Sequence, residues 1–137
     1  MGFTIIPASW APYVLSILRI ITGLLFLEHS LSKLFHFPPV AMFANLQILS
    51  LVGIAGIIEF VGSILLTLGL FTRIVAFILS GEMAFAYFIA HGPRSFFPLL
   101  NGGEPAILFC FIFLYIAAAG PGAWSVDGAR LRNAPIR

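Results

Sequence analysis

Four stretches of the chain, residues 12–35, 47–70, 72–90 and 104–119, are apolar all round rather than along one stripe. A helix in a water-soluble bundle keeps a polar face, so this pattern places the segments in lipid. Spans of roughly 20 residues cross a bilayer, and four of them use most of the chain. The fourth would give only roughly 24 Å of helix, which is short for a crossing. Ser9 precedes the first span as a candidate N-cap, with Pro12 in the first turn, and Pro38 and Pro39 stop it. Leu68-Gly69-Leu70-Phe71-Thr72-Arg73 forms a tight turn between the second and third spans, and Gly92-Pro93 closes the third. Gly102-Gly103-Glu104-Pro105 opens the fourth, with Glu104 complementing the helix dipole, and Gly120-Pro121-Gly122 ends it. In the tail, residues 123–137, Ser125 and Asp127 can cap a short polar helix. The expected fold is all-α: one domain, an integral membrane four-helix bundle with a short tail.

Composition agrees with lipid as the main solvent. The 137 residues are 61% hydrophobic and 9% charged, which leaves no room for a separate soluble catalytic domain. The net charge of +2 is small and three of the cations lie in the last eight residues, so nucleic acid is not an expected partner. Cys110, the single cysteine, sits in an apolar run and reads as a packing residue. Residues 1–11 lack the basic start of a signal peptide, so the first helix should be retained.

Arg73, Arg130, Arg132 and Arg137 fall on one side of the membrane against Lys33 and Arg94 on the other, which predicts cytoplasmic termini. Trp10 and Trp124 then share one interface. The two outer connections, 37–46 and 92–103, carry Phe43, Phe96, Phe97, Leu99 and Leu100 and are expected to lie in the interface as a lid.

Against this background the ionisable residues inside the spans stand out, because a charge at the bilayer centre costs about 2.5–3.5 kcal/mol on insertion scales. Such residues turn toward protein or a polar cavity. Glu59 shares a helix face with Ala55, Gly56, Gly62 and Ser63, small residues that admit a neighbouring helix. Arg19, Gly23, Phe26, Ser30 and Lys33 form one stripe of the first helix, with Glu28 opposite. Counting rise from the helix ends puts Arg19, Glu82 and Glu59 deepest. Because side chains lean toward a helix N-terminus, Arg19–Glu82 is the expected pair, with Glu59 next. Three carboxylates, Glu28, Glu59 and Glu82, face one deep permanent cation, so at least one needs a proton or a partner such as His29. His29 and His91 near the outer face read as hydrogen-bonded structural histidines rather than as a haem or metal site with Glu104.

Together these residues resemble the DoxX family of small bacterial four-helix membrane proteins. The resemblance rests on Arg19-x3-Gly23-x2-Phe26-x2-His29-Ser30-x2-Lys33-Leu34-Phe35 and on Glu59-x2-Gly62-Ser63-x2-Leu66-x2-Gly69-Leu70-Phe71-Thr72-Arg73. Met83, His91, Gly102-Gly103-Glu104-x-Ala106 and Gly120-Pro121-Gly122-x2-Ser125-x-Asp127 extend it over nearly the whole chain. Ser30 and Ser63 stand where the family pattern has Gly, adding two hydroxyls. The resemblance implies a protein of the bacterial cytoplasmic membrane, in a family linked to thiosulfate:quinone oxidoreductase subunits, quinone resistance and membrane redox complexes.

On that basis the leading expectation is a quinone-linked redox subunit. Arg19, Phe26, Lys33 and Tyr87 would line a quinone pocket, and His29, Glu59, Glu82 and His91 would carry protons. No flavin, iron–sulfur or haem motif is present, so electrons would come from a partner protein. The alternatives are a non-enzymatic anchor or assembly subunit, working with a partner subunit or as a homo-oligomer, and a small proton-linked transporter.

Overall fold

The computed structural model describes residues 4–133. Helix is the regular structure throughout them: α1 Ala11–Phe35, α2 Leu51–Leu68, α3 Thr72–Ala86 continuing as a π-helical turn Tyr87–His91, the one-turn α4 Pro98–Asn101, α5 Glu104–Ala119 and α6 Val126–Arg132. α1, α2 and α3 with its π turn are long and apolar enough to cross a membrane, while α5 has 16 residues. Ile17, Ile21, Leu24, Phe77, Leu108 and Phe111 point outward, as expected of a lipid-facing surface. The protein is a helical membrane bundle.

Several helix starts differ from the sequence expectation for local reasons. Ser9 lies inside a 3-10 turn, Ala8–Trp10, and Trp10 occupies the N-cap of α1 without a side-chain cap. α2 begins at Leu51 rather than near Gln47, because the Ser50 hydroxyl accepts from the Gly53 N–H at 3.1 Å and donates to the Gln47 carbonyl at 2.6 Å. Apolar Ile48 and Leu49 cannot reveal that cap through hydropathy. In the tail, Ser125 caps α6 by accepting from the Gly128 N–H at 3.0 Å, whereas Asp127 turns elsewhere. Arg137, counted in the orientation argument, lies outside the described residues.

The bundle is two antiparallel helix pairs, α1 on α2 and α3 on α5. Small residues set the register of the first pair: Gly23 lies against Thr67, and Gly56 against Lys33 and Leu34, so closely that a Cβ at Gly23 would overlap the Thr67 side chain. α2 meets α3 where Gly62 lies against Leu79. Two consequences follow from these contacts. α1 overhangs the α2–α3 turn by about two turns, which puts Arg19 level with that turn. Glu59 and Glu82 come level with each other, one helical turn beyond the Gly62–Leu79 contact.

Leu66, Leu79, Phe113 and Ile116 are fully buried and fill the half of the bundle nearest the termini. The half nearest the long connections is not filled in this way. A cavity of about 360 Å³ opens there between the two helix pairs.

Candidate functional site

The ionisable residues separate into two clusters at different levels. The first clamps the tail onto the terminal end of the bundle. Arg19 is fully buried and its Nη2 donates to the Trp124 carbonyl at 2.6 Å. The Trp124 N–H donates to the Ser16 hydroxyl at 2.9 Å, and the Ala123 N–H to the Pro12 carbonyl at 3.1 Å. Arg73 reaches across to the Ala117 and Ala118 carbonyls at the end of α5. These bonds satisfy carbonyls that a helix C-terminus otherwise leaves open.

Asp127 completes the clamp. Phe71 precedes α3 in the left-handed region at φ 52° and offers no side-chain cap of its own. The two Asp127 carboxylate oxygens accept instead from the Phe71 and Thr72 N–H groups, both at 2.9 Å, while the Asp127 N–H donates to the Gly69 carbonyl. Burial alone would raise the Asp127 pKa, but the Thr72 and Phe71 donors and nearby Arg130 outweigh it and hold the carboxyl below its ordinary value of 3.8. A depressed folded pKa adds stability that is complete above the unfolded value and is lost as pH falls through the folded one. Wild-type thermal stability should therefore carry an Asp127-dependent drop below about pH 4. Asp127→Ala should remove that drop and cost about 1 kcal/mol at neutral pH, the usual cost of losing a cap, as checked by melting curves from pH 3 to 7.

The second cluster is the floor of the cleft. Lys33 Nζ donates to both oxygens of Glu59, at 2.6 and 2.7 Å, and Glu59 is 1% exposed. Glu82 lies within electrostatic reach of both, yet its two buried oxygens have no hydrogen-bond partner of normal geometry. Above this floor the walls are apolar: Phe26 and Phe109 from α1 and α5, Val52 and Ala55 from α2, Phe85 and Ile89 from α3. Phe26 is itself buried, with ring centroids 5.2 Å from Phe109 and 4.9 Å from Phe113. Met42 and Phe43 from the first connection, and Arg94 from the second, line the cleft farther from the floor.

His29 and His91 also line the cleft, and each has its Nδ1 occupied. His29 Nδ1 meets the Leu25 carbonyl at 2.9 Å, and His91 Nδ1 meets the Asn101 carbonyl at 3.0 Å. A carbonyl only accepts, so Nδ1 carries the proton in both rings and a neutral imidazole keeps its lone pair on Nε2. The site thus joins an apolar slot to an ammonium, two carboxyls and two imidazoles whose Nε2 atoms can accept a proton.

The sequence model of the DoxX family matches residues 14–92, which contain most of α1, all of α2 and α3, its π turn and most of the cleft lining. The chain belongs to the DoxX family. An uncharacterized protein of Haemophilus influenzae is 46% identical over 123 residues, covering 87% of this chain and 92% of that one. No solved structure matches.

In this DoxX protein the candidate residues fall into distinct places. Phe26, His29, Lys33, Glu59, Glu82 and His91 surround the cleft. Arg19 does not; it sits in the clamp, roughly 18 Å along the helix axis from the level of Glu82, so the expected Arg19–Glu82 pair is replaced by Lys33–Glu59. Tyr87 lies behind the wall, with its hydroxyl accepting from Asn101 Nδ2 at 3.2 Å and its ring against Gly103. Arg73, Gly120 and Gly122 belong to the clamp, Gly120 lying against the Arg73 guanidinium and Gly122 against Ser16, with Pro121 between them. Gly102 ends α4 at φ 71° and lines the cleft, Gly103 donates to Asn101 Oδ1 at 2.7 Å, and Glu104 is exposed at the start of α5. Glu28 is exposed on the outer face of α1.

Asn101 was not singled out by sequence reasoning. It is 2% exposed, and its side chain binds Tyr87, the Ser95 carbonyl and the Gly103 N–H while its carbonyl holds His91. The sequence signal was a lone amide between the apolar run 96–100 and two glycines.

Proposed function

We propose that this DoxX protein is a quinone-linked redox subunit of the bacterial cytoplasmic membrane, with its termini in the cytoplasm, that holds a quinone ring in the cleft and delivers protons to it. The observation that carries this reading is Glu82: a carboxyl with two unpartnered buried oxygens at the floor of an aromatic-walled slot. A buried polar group without a partner in the folded chain is ready for a ligand to supply one. The cavity also falls in the size range of small-molecule sites, roughly 300–1,000 Å³.

Lys33 spends two of its three N–H donors on Glu59, leaving one for a quinone oxygen. Two carboxyls beside one ammonium leave the second without a counter-ion, so a Glu82 that holds its proton there becomes a hydrogen-bond donor to the ring. Reduction of a quinone takes up two electrons and two protons. The electrons come from a partner redox protein, and Glu82 with the His29 or His91 Nε2 provides the proton route.

The test is quinone retention and affinity in lipid nanodiscs. Wild type should co-purify with quinone. Glu82→Leu should bind about tenfold more weakly, the effect of losing one strong hydrogen bond, whereas Glu82→Gln keeps a donor and should bind nearly as wild type. A wild-type protein that retains no quinone, or a Glu82→Leu variant of unchanged affinity, overturns the proposal.

A further inference from the structure

Near their connecting turn α2 and α3 meet closely where Gly62 lies against Leu79. Beyond it two stripes, Val52, Ala55 and Glu59 on α2 and Glu82, Phe85 and Ile89 on α3, line the cleft. The residues at the rim of this gap also form part of the outer surface: Val52 is 42% exposed, Phe85 57% and Ile89 49%. A residue that both lines a cavity and faces outward stands at its mouth. These three belong to helices long and apolar enough to cross a membrane, Val52 and Ile89 within a turn of the helix ends, so the mouth faces sideways toward the bilayer near its interface.

We propose that the cleft is loaded sideways from the bilayer, through the gap between α2 and α3, and that its ligand is an amphiphile whose long apolar tail stays in the lipid while its polar ring reaches Lys33, Glu59 and Glu82. For the ring this rests on the quinone reading, and it narrows that class to quinones with long isoprenoid chains. The portal itself rests on geometry alone. Val52, Phe85 and Ile89 make the rim apolar on both sides, so a tail passes between them without desolvating a charge, while His91 and Arg94 line the cleft toward the second connection and Glu59 and Glu82 lie at its floor. Phe96, Phe97, Leu99 and Leu100 are exposed in the second connection, on the same half of the bundle as the cleft, and suit an interfacial apolar cover rather than a water-filled entrance.

The experiment needs no knowledge of the ligand. In a Cys110→Ala background, Ala55→Cys places one thiol on the α2 wall, and the full chain is reconstituted in vesicles. N-(1-pyrenyl)maleimide dissolved in the lipid should label it, whereas a permanently charged methanethiosulfonate added on both sides should not. Val52→Trp on one lip, or Ile89→Trp on the other, should slow the lipid reagent several-fold, both changes being at exposed positions that leave packing intact. Labelling by the charged reagent as fast as by the lipid one overturns the portal in favour of an aqueous mouth. So does absence of lipid-reagent labelling when a thiol on the outer face, Val61→Cys, reacts normally, and so do unaltered rates in both Trp variants. A long-chain quinone should protect Ala55→Cys; labelling that it does not slow leaves the portal standing and overturns the quinone reading.

Discussion

Lys33→Met is expected to destabilise the protein by about 3–5 kcal/mol, the cost of removing one partner from a buried ion pair. The Lys33 ammonium holds both oxygens of Glu59 within 2.7 Å, and Glu59 has almost no exposed surface. Met fills the volume of the lysine stem and leaves the charge of Glu59 unanswered beside Glu82, which itself has no donor. The loss therefore reports electrostatics rather than a cavity. The double change Lys33→Met with Glu59→Leu removes both charges and should recover most of the stability, because a well-packed apolar pair is often as stable as a buried ion pair. Thermal unfolding in one detergent across the wild type, both single variants and the double variant measures the coupling. A Lys33→Met protein as stable as wild type would show that the pair contributes nothing to the bundle.

Gly69→Ala should cost nearly as much, for a backbone reason at the other end of the molecule. Gly69 ends α2 at φ 70°, a conformation that costs a residue with a Cβ about 1–2 kcal/mol. The new methyl would overlap the Arg19 guanidinium and lie 2.6 Å from Ser125 Cβ. Arg19 must then leave the Trp124 carbonyl, and a hydrogen bond to a charged group contributes about 1.5–3 kcal/mol. The total is about 2.5–5 kcal/mol, and limited proteolysis should cut the tail faster as α6 loses its attachment. Gly81→Ala is the matched comparison: nothing lies within 4 Å of its Cβ, so in a helix interior it should be neutral or stabilising by up to about 1 kcal/mol. Equal effects at the two glycines would exclude the clamp as the cause.

The expected Arg19–Glu82 pair shows what the chain pattern leaves open. Counting rise from each helix end assumed that all helices begin at one level, but α1 overhangs the α2–α3 turn, and Arg19 is buried at the end of the bundle, beneath the tail, rather than at its middle. The rule that side chains lean toward the helix N-terminus does anticipate Lys33–Glu59, since α1 and α2 run in opposite directions and the two side chains lean toward each other. It needed only the α1–α2 register. The partner of Arg19 is a backbone carbonyl, and a carbonyl has no residue identity to read. Tyr87 was expected in the pocket wall, and in the structure it lies in the π turn Tyr87–His91 with its hydroxyl on Asn101.

Local chemistry wrote the rest into the sequence. All-round hydrophobicity identified the four long helices, proline and glycine punctuation separated them, and Ser125 announced α6, because each depends on residues within a few positions. His29, Lys33, Glu59, Glu82 and His91 stood out because ionisable groups in lipid must find protein, and Phe26 because it shares the α1 stripe of Lys33. Only the tertiary structure decided which of those groups share a cavity, that Asp127 caps α3 from across the chain, and that Arg19 and Arg73 serve a clamp while Lys33 serves the cleft. Those outcomes depend on the relative shift of packed helices, which close contacts at Gly23, Gly56 and Gly62 fix and which no single helix encodes by itself.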